Sequence, residues 1–378
     1  MKSLWLFGLL LLTACAGQTS SPIGPPLSQV QLTKAQLLEG PDELAMAKPE
    51  VELLALDSEM RDFLSDHVPG NLHSRQKTRL LIESFFSGEG IDIQYDNIKT
   101  HTAIETFHRE SGNCLSFTSL FVAMAREAGI KATFQEVETP PVWNNMGELY
   151  IYNRHINALV EYRTGPPQVV DFDIANFDEN FPRKKISDRA ALAQYHNNMS
   201  VHWMLKEDPT QALAHQRQSL VLAPQASYMW ANLGALYSRF NYPDFAEAAY
   251  LQALQINSNE YVAISNLARF YRGHNEVELA QYYADRALRF RRKNPYYLYS
   301  EAQRNYELAN YDEALVDLRR AIRLDDGEHN FHRLLGLVQL EMGQVEEAQI
   351  SFEQAATLNA EPRYAAMYSR KLELLSGH

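Results

Sequence analysis

Read from its middle, the chain shows two hydrophobic periodicities in succession. Val51 to Val68 and Arg75 to Phe86 carry apolar residues at helical spacing, and Thr102-Ala103-Ile104-Glu105 has the form of a capping box that opens a short helix. Phe117, Leu120, Phe121, Met124, Ala125 and Ala128 then recur at three and four residues, the mark of one buried helical face, which Gly129 ends. Beyond Gly129 the pattern becomes that of strands: Lys131 to Val137, Leu149 to Tyr162, and Gln168 to Asp173 after the turn Arg163-Thr164-Gly165-Pro166-Pro167.

The second half follows a longer period. With the chain aligned on 34 residues, Ala212, Ala246, Ala280, Ala314 and Ala348 fall in register, and seven residues on so do Ser219, Ala253, Ala287, Ala321 and Ala355. Small residues on a fixed period suit helical hairpins whose two helices approach closely. Trp230, Leu233, Gly234 and Tyr237 in one unit, and Leu335, Gly336, Phe352 and Ala355 in another, complete a resemblance to tetratricopeptide repeats. Pro224, Pro295 and Pro362 lie near the expected repeat ends, where a helix must stop. Four repeats are expected from about 227 to 361, after a degenerate hairpin that starts near Ser187 and takes Asp208-Pro209 as cap and first-turn proline. A capping helix is expected over 363–375. Such arrays present a concave surface to proteins or peptides; packing on the first domain or on a second copy is the plainer alternative. The rings of Tyr296, Tyr297 and Tyr299 are expected to serve mainly in hairpin packing.

Length and composition fit this division. A chain of 378 residues, 46% hydrophobic and 22% charged, exceeds one ordinary core, and a formal net charge of −12 argues against a nucleic-acid partner. Arg183-Lys184-Lys185 is too short a basic run to alter that and reads as a solvated stretch between domains.

The leader MKSLWLFGLLLLTAC has one positive charge, an apolar core too short to span a bilayer, and small residues ahead of Cys15. Leu12-Thr13-Ala14-Cys15 resembles the bacterial lipobox, which implies a signal peptide over 1–14 and lipidation of Cys15; an ordinary signal peptide with a chance cysteine is the alternative. Ala16, in place of Asp, resembles an outer-membrane sorting signal. Together these imply a lipid-anchored protein of the bacterial cell envelope, on the periplasmic face of the outer membrane. Residues 15–28, rich in Gly, Ser and Pro, suit a tether. The domain boundaries expected are therefore 29–186 and 187–378.

The chain holds two cysteines, so lipidation of Cys15 would leave Cys114 as the only free thiol in an oxidising compartment. Such a thiol is either a small buried residue or one that is used. Cys114 lies at a helix start, where outward N–H groups and the helix dipole favour a thiolate and can hold an oxyanion. His155 and Asp171 fall on strands joined by the turn at 163–167, so a base and its orienting carboxylate can meet near the sulfur.

Gly112-Asn113-Cys114, Arg126-Glu127-Ala128-Gly129-Ile130, Arg154-His155-Ile156-Asn157-Ala158-Leu159-Val160 and Val169-Val170-Asp171 resemble the transglutaminase-like superfamily over roughly 75–180. That resemblance implies an α+β papain-like core, followed here by an all-α repeat solenoid, with Cys114, His155 and Asp171 as the catalytic set. The family's aspartate is often followed by Pro; here Phe172 and Asp173 follow, which keeps Asp173 as a second candidate. The side chain that completes the oxyanion hole has no clear match. Asn113 and Trp143 are candidates to line the substrate cleft. His101, His108 and Cys114 lack metal-ligand spacing, His329 and His332 read as surface residues of a repeat helix, and no cofactor is expected.

Two functions of different class remain. One is a thiol-dependent amide or peptide hydrolase or acyltransferase, acting on envelope proteins or peptidoglycan stem peptides, with the repeats recruiting a protein or peptide partner. The other is a non-catalytic lipoprotein scaffold that only binds.

Overall fold

The computed structural model describes residues 32–42, 44, 49–86, 94–96, 99–137, 144–146, 149–151, 154–172 and 183–358. The leader, Cys15, the tether, Trp143, Asp173, Pro362 and the helix expected over 363–375 lie outside the described residues.

The first element, α1 (Lys34–Glu39), is followed by α2 (Ser58–His67), α3 (Ser74–Phe86), β1 (Gln94–Tyr95), α4 (Ala103–Arg109), β2 (Ser111–Gly112) and α5 (Cys114–Glu127). Their starts are set by side chains: the Asp57 carboxylate accepts from the Met60 N–H at 2.9 Å, and Thr102 with Glu105 closes the capping box before α4. Helix α5 is the core of this domain. Leu120, Phe121, Val122 and Met124 are fully buried, and Phe134, Ile156, Ala158 and Val160 of the sheet are packed with them. As expected, the helix ends with a left-handed glycine, Gly129 at φ 76°.

The strands after it are β3 (Lys131–Val137), the hairpin β4 (Asn144–Met146) and β5 (Leu149–Ile151), β6 (His155–Glu161), β7 (Gln168–Val170) and β8 (Arg183–Ile186). Four of them form an antiparallel sheet in the order β7-β6-β3-β8. Two sequence expectations are corrected. The single strand expected over Leu149 to Tyr162 is divided, because its first part pairs locally with β4 and only its second joins the main sheet. Arg183-Lys184-Lys185 is no linker but part of edge strand β8, and Lys185 Nζ reaches Glu161 Oε1 at 2.7 Å. Charged residues on an edge strand keep it from pairing with other chains.

From there the chain is helical: α6 (Asp188–Leu205), α7 (Pro209–Leu222), α8 (Ser227–Arg239), α9 (Pro243–Ile256), α10 (Tyr261–Gly273), α11 (Val277–Lys293), α12 (Pro295–Glu307), α13 (Tyr311–Leu324), α14 (His329–Glu341) and α15 (Val345–Leu358). Consecutive pairs form five hairpins. The small residues of both registers are buried throughout, as the 34-residue period requires. The reason is visible at Gly234 and Gly336: a Cβ there would fall 2.5 Å from the Tyr250 ring and 2.9 Å from the Phe352 ring, so the helices close onto the glycine. Tyr296 and Tyr299 serve in packing as expected, though on Phe331 of the next hairpin.

Pro295 lies two residues past the end of α11 at Lys293, at a repeat boundary as expected, and also opens α12 at its first turn, where its missing N–H costs nothing. His329 and His332 are corrected. Both are buried, at 2% and 9% exposure, facing the packed side of α14 rather than solvent. Although α1 lies within the stretch assigned to the first domain, it packs on the repeats, where buried Leu37 joins Leu213 and Tyr237 and the Tyr237 hydroxyl donates to the Leu37 carbonyl at 2.6 Å.

The two parts meet without a linker. Ser187 alone separates β8 from α6, as the N-cap of that helix. Arg126 at the end of α5 binds Asp188 through two bonds of 2.6 and 2.9 Å.

Candidate active site

Cys114 is the first residue of α5 and is partly exposed. It is held there by the residue before it. The Asn113 carbonyl oxygen Oδ1 accepts from the Ser116 N–H and hydroxyl, each at 3.1 Å, and its Nδ2 donates to Thr100 Oγ1 at 2.7 Å. Asn113 is thus 7% exposed and engaged as a helix cap. Gly112 is packed against the same turn: a Cβ there would sit 2.5 Å from Ser116 Cβ.

The sheet brings the other two residues to this helix end. His155 is the first residue of β6, and Asp171 directly follows β7, the neighbouring strand. Their side chains meet with Nε2 to Oδ2 at 2.8 Å, and both are largely buried, at 13% and 4% exposure. The Cys114 side chain lies beside the ring, close enough to act on its charge. Burial by itself would lower the affinity of this imidazole for its proton. The hydrogen bond to Asp171 and the influence of the neighbouring Cys114 sulfur, together with the charges of both groups, outweigh burial and raise its pKa to about 10.

Asn157, which carried no assigned role in the sequence, completes the arrangement. It is fully buried, and its Nδ2 donates to Asp171 Oδ2 at 2.9 Å, so one carboxylate oxygen serves both His155 and Asn157. Strand alternation is the signal that finds it, since residues two apart on β6 share a face.

The remaining candidates do not converge. His108 Nε2 pairs with Asp57 at 2.6 Å, away from His101, whose ring lies near Gly112 and whose pKa is lowered chiefly by burial. Among the described residues no group of three or more His, Cys, Asp or Glu side chains could hold a metal ion.

Residues 70–163 match the model of the transglutaminase-like superfamily, and residues 334–362 match that of the tetratricopeptide repeat. The chain carries a transglutaminase-like core. From α6 to α15 the chain is a tetratricopeptide-type solenoid. A stretch of 113 residues is 28% identical to anaphase-promoting complex subunit 3 of Schizosaccharomyces pombe; it covers 30% of this chain and only 17% of that protein. Among solved structures, pilF of Pseudomonas aeruginosa is 14% identical with a TM-score of 0.27, covering 50% of this chain and 94% of that one. A thermophilic TPR protein of Thermus thermophilus is 17% identical with a TM-score of 0.26, covering 48% of this chain and 98% of its own. Transglutaminase-like domain and repeats together suit a protein that engages partners.

Proposed function

We propose that the transglutaminase-like domain is a thiol-dependent amide or peptide hydrolase or acyltransferase, with Cys114 as nucleophile, His155 as acid and base, and Asp171 as its orienting carboxylate. The observation that carries this reading is the bond of His155 Nε2 to Asp171 at 2.8 Å beside a cysteine at a helix N-terminus. With Nε2 engaged by the carboxylate, Nδ1 is the nitrogen that exchanges a proton with sulfur.

In the reaction the Cys114 sulfur attacks the carbonyl carbon, and the N–H groups at the start of α5 take up the oxyanion charge. As the tetrahedral intermediate collapses the C–N bond breaks, and the imidazolium gives its proton to the departing amine. The acyl-enzyme then passes to water, which His155 deprotonates, yielding the carboxylic acid, or to an amine, yielding a new amide. The repeats recruit a protein or peptide partner. Lipidation at Cys15 would hold the protein on the periplasmic face of the outer membrane, where envelope proteins or peptidoglycan stem peptides are the substrates at hand.

The experiment is the rate of Cys114 alkylation by iodoacetamide from pH 4 to 10, on the chain from Ala16 onward, compared with His155→Ala. Fast labelling below pH 7 that the substitution abolishes is the expected result. Identical slow labelling of both proteins overturns the reading in favour of a scaffold that only binds.

A further inference from the structure

The strand that carries His155 is braced from the repeats. Arg154 directly precedes His155 at the open end of β6, where β3 pairs Val137 with His155 and Glu136 with Ile156. The Arg154 guanidinium forms an ion pair with Glu136 and lies over the ring of Tyr228, 4.8 Å from its centroid. Tyr228 belongs to α8 and is itself buried. The other carboxylate oxygen of Glu136 accepts from Gln194 Nε2 of α6 at 2.7 Å. One ion pair beside the base is therefore held on one side by the first repeat hairpin and on the other by the second. Hairpin strand β5, three residues ahead of Arg154, also rests on α8 and α10.

A guanidinium fixed by a carboxylate and a ring face has one favourable plane, unlike the rotatable ammonium of lysine. Its main chain is then fixed as well, and the next residue is the imidazole whose ring must meet sulfur and Asp171 within a few tenths of an ångström.

We propose that Arg154 is a positioning residue for His155, and that Gln194 and Tyr228 make the repeat array part of the support of this base. The proposal rests on the thiol reading above. It implies that the transglutaminase-like core is not independent of its repeats, and that a partner engaging α6 or α8 acts on the site through Arg154.

The test uses the chain from Ala16 onward, with two readouts: the pH profile of Cys114 alkylation by iodoacetamide and the titration of His155 followed by nitrogen-15 NMR. Arg154→Lys keeps the charge but loses the planar stack; Gln194→Leu and Tyr228→Leu alter only the repeats. Each is expected to slow labelling at pH 6 at least fivefold and to move the His155 titration downward, with Tyr228→Phe restoring the parent profile because it keeps the ring. Thermal melting separates this from unfolding, and Arg154→Lys, the mildest change, decides should Tyr228→Leu fail to fold. Parent-like profiles in Arg154→Lys and Gln194→Leu, while His155→Ala slows labelling, would overturn the bracing alone. Parent-like labelling in His155→Ala would overturn the thiol reading and the bracing with it.

Discussion

Ala309 and Gly343 stand at the same place in consecutive hairpins, both with left-handed backbone, at φ 58° and 75°. Glu207, Asn241 and Asn275 occupy that place in the three hairpins before them. The turn demands this conformation, and Ala309 adopts it with a Cβ that opposes it. Ala309→Gly is expected to stabilise the protein by about 0.5–1 kcal/mol, the relief of strain exceeding the added freedom of the unfolded chain. A rise in melting temperature checks it; a fall would mean that this turn does not govern the stability of its repeat.

The opposite substitution tests helix approach. Gly234→Ala places a methyl against the ring of Tyr250, which is fully buried and cannot move aside. A loss of about 1–3 kcal/mol is expected, recovered in part by Gly234→Ala combined with Tyr250→Leu. Additive losses in that double variant would show that the two residues do not share one space.

This contact shows what was legible and what was not. Small residues at 34-residue intervals announce close helices because the requirement is local to each hairpin, and the caps at Thr102 and Asp208 are local too. The candidate site was legible in its order, Cys114 at a helix start, His155 at the start of one strand and Asp171 just after its neighbour. Long-range pairings were not. Nothing near Leu37 signals that its carbonyl will meet Tyr237, and Arg183–Ile186 shows no apolar alternation because it is an edge strand whose charges find Glu161 across the sheet. The burial of His329 and His332 was missed for a related reason: a polar residue reads as exposed unless the face it lies on is known.

A pair of buried histidines sets acid sensitivity. His196 and His215 meet Nδ1 to Nδ1 at 3.0 Å between α6 and α7, at 1% and 6% exposure, and burial first, then neighbouring imidazole charge, lowers both pKa values to about 4. Unfolded, each would titrate near 6.5. The neutral pair therefore costs nothing above pH 6.5, and stability falls as acid is added from there toward pH 4. A loss on the order of 4 kcal/mol for the pair between pH 7 and 5 is expected, read as a falling melting temperature, and His215→Gln should reduce this pH dependence. A flat profile over that range would contradict it.

Asp171→Asn tests the electrostatics of the site. Without the carboxylate charge, the His155 titration should move from about 10 toward its ordinary value near 6.5 in nitrogen-15 spectra. The sign for stability is opposite to that of the histidine pair: a folded value raised above the unfolded one stabilises fully below pH 6.5 and is lost as pH rises through about 10. The variant should thus be weakest against the parent at neutral and acid pH and converge with it in alkali. An unmoved titration would remove Asp171 from the role given to it.

Asn157→Leu keeps the branched outline of a fully buried side chain but withdraws its bond to Asp171. Expected are a stability loss of about 1–3 kcal/mol and a several-fold slower alkylation of Cys114 at pH 6, as the carboxylate loses the donor that fixes its rotamer. Stability lost with labelling unchanged would make Asn157 a packing residue only.

The single residue between β8 and α6 gives the molecule a mechanical character. With Ser187 as the whole covalent joint, and Arg126 clamped to Asp188 beside it, little slack is left to absorb a rotation of the helix. Five hairpins then form a lever arm whose fulcrum is the edge of the sheet, and a load applied at its far end arrives as torque on β8, one strand from β3 and two from the strand that carries His155.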